Sequence, residues 1–401
     1  MSTGSQVVQE AAPEPPRRRR RLLAVVLALI VAAALAATAV VALSHRSKPT
    51  ACRGPACSGT HSGSPAPSAS GGATSSPSAP APAPGALKPA LKGLLDRDGM
   101  PPVSYLGTAV QGWVIQASWA QLQPTQNGPI APDNPIDQAL AEVRRLNAAH
   151  PNLHLGLKLR VYAGPEAPAW AKSLGGPPVP IVNPQGGQAG SGATVGRFWT
   201  EEFGRAYADL QAKLAAKYDS APELRETVIS RCTLVYAESF VRLRGSRASI
   251  DNLLAAGFST AADRTCLQES VQAHLVWRHT RSDLQFLPYQ DIEQRGPRGG
   301  DEAFTEEMMR YCRSTLGPRC VLANNSLRYP PNYAPLNAAF KALGGPIAYQ
   351  TAAPSRVGDL MQAIAYGIAQ GAGSIELPAT YKQIPPSTFT AENAQLLRSA
   401  S

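Results

Sequence analysis

From Gly112 to Leu377 the chain alternates between short strand-like stretches and longer segments with apolar residues at helical spacing, and that alternation leaves few architectures open. Residues 112–119 (GWVIQASW) read as a strand, followed by a helical pattern over 135–149. Residues 153–161 (LHLGLKLRV) put Leu153, Leu155, Leu157, Leu159 and Val161 on one face and His154, Gly156, Lys158 and Arg160 on the other, the period of two that defines a strand. A Gly/Pro-rich passage over 164–196 contains a short apolar piece at 178–182, and a helix is expected over 198–218. Strands are then expected at 226–235, 283–288, 320–324, 346–351 and 374–377, separated by helices over 261–277, 301–316, 334–343 and 357–370. With the weak piece near Pro180 the count is eight, which predicts an α/β fold, a closed (β/α)₈ TIM barrel over residues 88–401; an open doubly wound sheet is the alternative. No G-x-G-x-x-G or G-x-x-x-x-G-K-[ST] follows the first strand, so neither a dinucleotide nor a nucleotide is expected, and no cofactor is implied.

The first 87 residues have a different chemistry. Residues 22–43 are apolar except for Thr38. At ~1.5 Å rise per residue such a run spans a ~30 Å hydrocarbon core. Five arginines at 17–21 precede it, so the positive-inside rule predicts a cytoplasmic tail at 1–21, a signal-anchor transmembrane helix at 22–43 and an extracytoplasmic remainder. The alternative is a cleaved signal peptide, whose apolar stretch is usually shorter, at ~7–15 residues. Residues 44–87 are Ser, Pro, Ala and Gly with almost no large apolar side chain, so they are expected to form a disordered linker. The formal charge of +10 is concentrated here: eight Lys/Arg against two Glu precede residue 88, which leaves 30 against 26 beyond it. A barrel domain so nearly balanced gives no reason to expect nucleic acid.

Six cysteines in an exported chain invite pairing. Cys52 and Cys57 could close a small loop in the linker, and Cys312 and Cys320 bracket a helix end and the next strand, which leaves Cys232 with Cys266. None of these spacings is a zinc pattern, and no metal is expected.

In a barrel the chemistry sits at the C-terminal ends of the strands. Those ends carry Trp119 and Gln121, Arg160 and Tyr162, Glu238, Tyr289 and Gln290, Asn324 and Asn325, Tyr349 and Gln350, and Glu376. Carboxylates, amides, an arginine and aromatic rings gathered at one mouth suit a sugar: ring faces stack on pyranose C–H surfaces, and amides bind hydroxyls in pairs. The bland readings are that Trp119 and Trp170 are core, that Glu238 pairs with a nearby arginine, and that Glu376 is a buried partner of Lys158 or Arg160.

The stretches WAQLQPTQNG (119–128), LKLRVYAG (157–164), APAWAKSLG (167–175) and YAES (236–239) resemble the retaining glycoside hydrolases of the large barrel clan that includes β-galactosidases and cellulases. The resemblance covers roughly residues 105–380 as an order of elements. It implies a polysaccharide or cell-surface glycan as substrate, Glu238 after strand four as general acid/base, and Arg160 at the end of strand two as support for a nucleophile. Two positions depart from the clan's pattern: Ala237 stands where an Asn is usual, and Gln350 occupies the end of strand seven, where a Glu nucleophile belongs. An amide cannot form a glycosyl ester. Three accounts follow: Glu376 supplies the second carboxylate, or Asp291 or Glu293 does, or the site binds glycan without cleaving it.

Overall fold

The structure, a computed structural model, describes residues 86–182, 193–242, 246–294 and 300–399. The expected tail, membrane helix and Cys52–Cys57 pair, and the linker through residue 85, lie outside the described residues. Among the described residues no helix is long and apolar enough to cross a membrane.

Eight parallel strands close into a barrel: β1 (Gly93–Asp96), β2 (Gly112–Ser118), β3 (Gly156–Tyr162), β4 (Leu224–Val228), β5 (Arg281–Gln285), β6 (Cys320–Leu327), β7 (Ile347–Thr351) and β8 (Ser374–Leu377). The ring is completed where Leu95 of β1 lies beside Glu376 of β8. Helices Pro135–Ala149, Glu201–Tyr218, Thr260–Ala273, Glu302–Leu316, Ala334–Leu343, Leu360–Ala369 and Thr390–Leu397 follow β2 to β8 in turn. The first of these shows why the sequence breaks where it does. Asn134 accepts from the backbone of Ile136, Pro135 fixes the first turn, and Ile136, Leu140, Val143 and Leu146 form the buried stripe.

The expected barrel is present, but two of its eight strands differ from the expectation. The piece at 178–182 is no barrel strand: Val179–Pro180 pairs antiparallel with Thr194–Val195 in a separate two-stranded sheet. The true first strand is Gly93–Asp96, only four residues long and followed by a single 3₁₀ turn, Val103–Tyr105, where the other strands lead to a helix. The two errors cancel in the count and shift the early numbering by one, so Arg160 stands on the third strand and not on the second. The strand expected at 226–235 ends at Val228, and an irregular loop carries the chain on through Glu238.

The period of two in β3 has an unusual sense. Leu157, Leu159 and Val161 belong to the main apolar core. Lys158 and Arg160 project into the barrel, both almost fully buried. Inside the barrel, Val321, Ala323 and Ala348 form a separate small apolar cluster, and buried charged and amide side chains lie around it. Disulfides Cys232–Cys266 and Cys312–Cys320 are formed, with Cα atoms 6.1 and 5.8 Å apart.

Candidate active site

The alternation that buries the leucines of β3 under helices aims its two cations at three inward carboxylates. Lys158 Nζ is 2.8 Å from Glu226 of β4 and 2.9 Å from Glu376 of β8, and it also pairs with Asp283 of β5. One layer nearer the mouth, Arg160 donates from Nη2 to both oxygens of Glu376 at 2.9 and 2.8 Å. Burial opposes charge on all of these groups, and the outcome depends on the partners. Burial works against the Glu376 anion, yet Arg160 and Lys158 outweigh it and hold the carboxyl down to about 2. The Lys158 ammonium is likewise kept above its ordinary range by Asp283, Glu226 and Glu376 against its own desolvation. Asp283 shows the opposite balance: burial, with Glu226 and Glu376 as like charges, pushes it up to about 7 despite Lys158.

Above this floor lies an open cleft of about 540 Å³ at the C-terminal ends of the strands, where barrel chemistry belongs. Arg160, Glu238, Gln290, Asn325 and Gln350 all line it. These five expected residues therefore converge on one site although they come from five different strands or strand ends. Asn325 Nδ2 donates to Glu238 Oε1 at 3.1 Å and to Gln285 Oε1 at 2.8 Å, so β6 aims the carboxylate that the loop after β4 presents. Glu238 Oε2 is shielded from solvent and accepts no hydrogen bond from any described residue. A buried carboxylate oxygen without a donor is a costly arrangement that a ligand hydroxyl or water would relieve.

The other expected site residues lie elsewhere. Trp119 is fully buried, edge-on to Trp170, Phe203 and Tyr207, and donates Nε1–H to Gln123. Tyr289 stacks on Phe304 and donates its hydroxyl to Asp263. Tyr349 is buried and donates to Asn337. Buried rings have no face to offer a sugar, so for these three the core reading replaces the stacking one. Gln121 is exposed but closes a capping box with Ser118 at the start of the short helix Trp119–Leu122. Glu376, 1% exposed with both oxygens on cations, is poorly placed to donate a proton or attack a substrate. Asp291 and Glu293 are also occupied: Asp291 Oδ1 accepts from the Thr260 hydroxyl and Glu293 Oε2 from the Thr260 backbone, at the start of the helix Thr260–Ala273.

The lining also contains residues that sequence reasoning missed. Arg97 and Asp98 follow β1, Gln116 sits on β2 and accepts the Tyr162 hydroxyl, and Tyr333 and Arg356 come from loops. Arg97 and Asp98 carried a usable signal, since GLLDRD is an apolar run followed at once by charges. Asp98 and Glu238 are the two carboxylates among the residues that line the cleft. Their strands are three places apart around the ring of eight, so they stand on well-separated parts of the rim.

No family model matches the chain, and no curated protein matches its sequence. Solved structures with a similar course of chain include the catalytic domain of a β-amylase from Paenibacillus polymyxa, at 11% identity and a TM-score of 0.44, over 77% of this chain and 97% of that one. An endo-glycoceramidase II from Rhodococcus sp. has 12% identity and a TM-score of 0.42, over 74% and 75%. A D-allulose 3-epimerase from Methylomonas sp. has 10% identity and a TM-score of 0.37, over 79% and 93%.

Proposed function

We propose that the barrel domain hydrolyses a glycosidic bond in a polysaccharide or cell-surface glycan, with Glu238 as the acid that protonates the leaving oxygen. The observation that carries this reading is the state of that carboxylate. Asn325 orients one of its oxygens, while the other lies unpartnered beside a cleft walled by amides, tyrosine and arginine. Asp98, across the mouth, is the second carboxylate in this reading and would activate water. A wide separation of about 6.5–9.5 Å between carboxyls belongs to inversion, where a narrow one belongs to retention through a covalent ester. Gln350, the amide at the end of β7, agrees with a route that needs no nucleophile there. Arg160 carries its charge to the floor of the cleft, where Glu376 fixes its direction.

Glu238→Gln should lower turnover of a responsive aryl glycoside or cell-wall glycan by about 10²–10⁴-fold while leaving glycan binding nearly intact. Turnover that survives the change removes Glu238 from the mechanism. NMR of the first-formed anomer should show inversion, and Asp98→Asn should abolish it; a retained anomer would exclude the Asp98 route. A second reading, a glycan-binding protein without turnover, draws on Gln350 and on the sequestered Glu376. It predicts saturable binding with no product across the same panel.

The location belongs to this proposal as well. The apolar run 22–43 behind five arginines supports a single membrane anchor with the barrel outside the cell. The two disulfides fit that side, where thiols stay oxidised. Protease added to intact cells should release the barrel; protection of the barrel until lysis would refute this topology.

A further inference from the structure

Glu238 sits on a segment with no regular structure, and a side chain that must meet a substrate to within a fraction of an ångström needs support from somewhere. The support lies at the segment's two ends. Cys232 is joined to Cys266, and ten residues further on Arg242 grips Asp263 through Nε at 2.8 Å and Nη2 at 2.6 Å. Cys266 and Asp263 are three residues apart on the helix Thr260–Ala273, hence on one face of it. The two attachments also coincide in space, since Cys232 Sγ, Cys266 Sγ and a carboxylate oxygen of Asp263 all lie within 4.8 Å of one another. All four residues are fully buried. Residues 232–242 thus leave and return to a single point, with a covalent bond and a two-point ion pair closing the neck.

We infer that residues 232–242 form an arch whose neck on the helix Thr260–Ala273 positions Glu238, with Cys232, Cys266, Asp263 and Arg242 as positioning residues; the inference rests on Glu238 being the reacting group. Further contacts brace the arch between neck and crown. Ser239 Oγ donates to the carbonyl of Ile229 at 3.3 Å, and Phe240 packs against Phe286 and Tyr289. The Tyr289 hydroxyl joins the neck by donating to Asp263 Oδ2 at 2.9 Å. Gly164, just after β3, admits the arch: a Cβ there would stand 2.2 Å from the carbonyl oxygen of Leu234. Asn325, on β6, then holds Glu238 by its side-chain oxygen. Removal of the disulfide should free the arch while the strands beneath it keep their ladder.

The test is amide hydrogen exchange on the full chain, in the wild type, in the double variant Cys232→Ser/Cys266→Ser, and in Cys312→Ser/Cys320→Ser as the control disulfide. Exchange across 232–242 should speed up by at least about tenfold in the first pair only, with β3 and β6 unchanged. Equal loosening in both pairs, or none in the first, overturns the inference. Should the first pair fail to fold, Arg242→Lys, which keeps the charge but loses the fork, and Gly164→Ala, which presses on Leu234, should loosen the same residues; silence from both overturns it. In the catalytic reading the first pair also lowers kcat by about tenfold or more, with KM within about twofold. If the exchange result holds and Glu238→Gln leaves turnover intact, the neck stands and the catalytic reading falls. If exchange is unaltered and Glu238→Gln abolishes turnover, the reverse is true.

Discussion

The barrel mouth sets two kinds of carboxylate a few residues apart in depth. On the floor, Glu376, Glu226 and Asp283 share two cations in a space from which water is almost wholly excluded. On the wall, Glu238 has one donor, Asn325, and an oxygen that no described residue serves. The floor has the features of a structural ion cluster, in which each charge is held because its neighbours need it. Asp283 Oδ1 on the floor also lacks a donor, so what sets the wall apart is that its unserved oxygen belongs to a residue lining the open cleft, where a ligand can reach it. Perturbed ionisation alone would have pointed to the floor as the functional centre, and the geometry points to the wall.

The sharpest way to break this contrast is to remove one member of each region and read stability. Lys158→Met leaves three carboxylates facing Arg160 alone, and loss of one partner from a buried cluster costs about 3–5 kcal/mol. Thermal or denaturant unfolding should show that loss. Glu238→Gln keeps the shape and the Asn325 contact, and should move stability by no more than about 0.5 kcal/mol. Equal losses would mean that Glu238 belongs to the structural cluster after all.

The next effect is pH dependence, in which two floor groups act in opposite directions. Glu376, held at about 2 when folded against 4.5 in the open chain, contributes stability above 4.5 that is lost as the pH falls toward 2. Asp283, pushed up to about 7 from 3.8, contributes stability that is complete below 3.8 and is lost as the pH rises through 7. Between these limits wild type should lose stability relative to Asp283→Asn with rising pH, at a slope of at most about 1.4 kcal/mol per pH unit. Unfolding curves from pH 4 to pH 8 measure this. Parallel curves would show that Asp283 is ionised throughout in the folded protein, as it is in the unfolded chain.

How much of this was legible follows from the same distinction. β3, β6, β7 and β8 showed in the sequence because their buried runs are bounded by turn residues and flanked by amphipathic helices, so local pattern and tertiary role agree. β1 did not, because four residues followed by a 3₁₀ turn carry no period and introduce no helix. At the site, Arg160, Glu238, Gln290, Asn325 and Gln350 were reachable as polar residues at strand ends. Asp98 was lost with its strand. Trp119, Tyr289 and Tyr349 were misplaced because position along a strand does not reveal whether a neighbouring helix covers the ring; Phe203, far off in sequence, covers Trp119, and Phe304, on the next helix, covers Tyr289.

The smallest effect concerns the rim. Gln121 is exposed just beyond the end of β2, outside the cleft lining, and as a strand-end amide it was expected to bind sugar. Its side-chain oxygen instead accepts from the backbone of Ser118 at 3.0 Å, and the Ser118 hydroxyl accepts from the backbone of Gln121 in return. Local satisfaction of this kind marks a helix start, as ionic satisfaction marks the floor. Gln121→Ala should therefore lower stability by about 0.5–1 kcal/mol, the usual scale of a lost cap, and leave glycan affinity unchanged. Isothermal titration of the variant with the glycan that binds wild type measures the second part. A fall in affinity at unchanged stability would put the amide in contact with ligand and extend the binding surface beyond the cleft wall to the helix Trp119–Leu122.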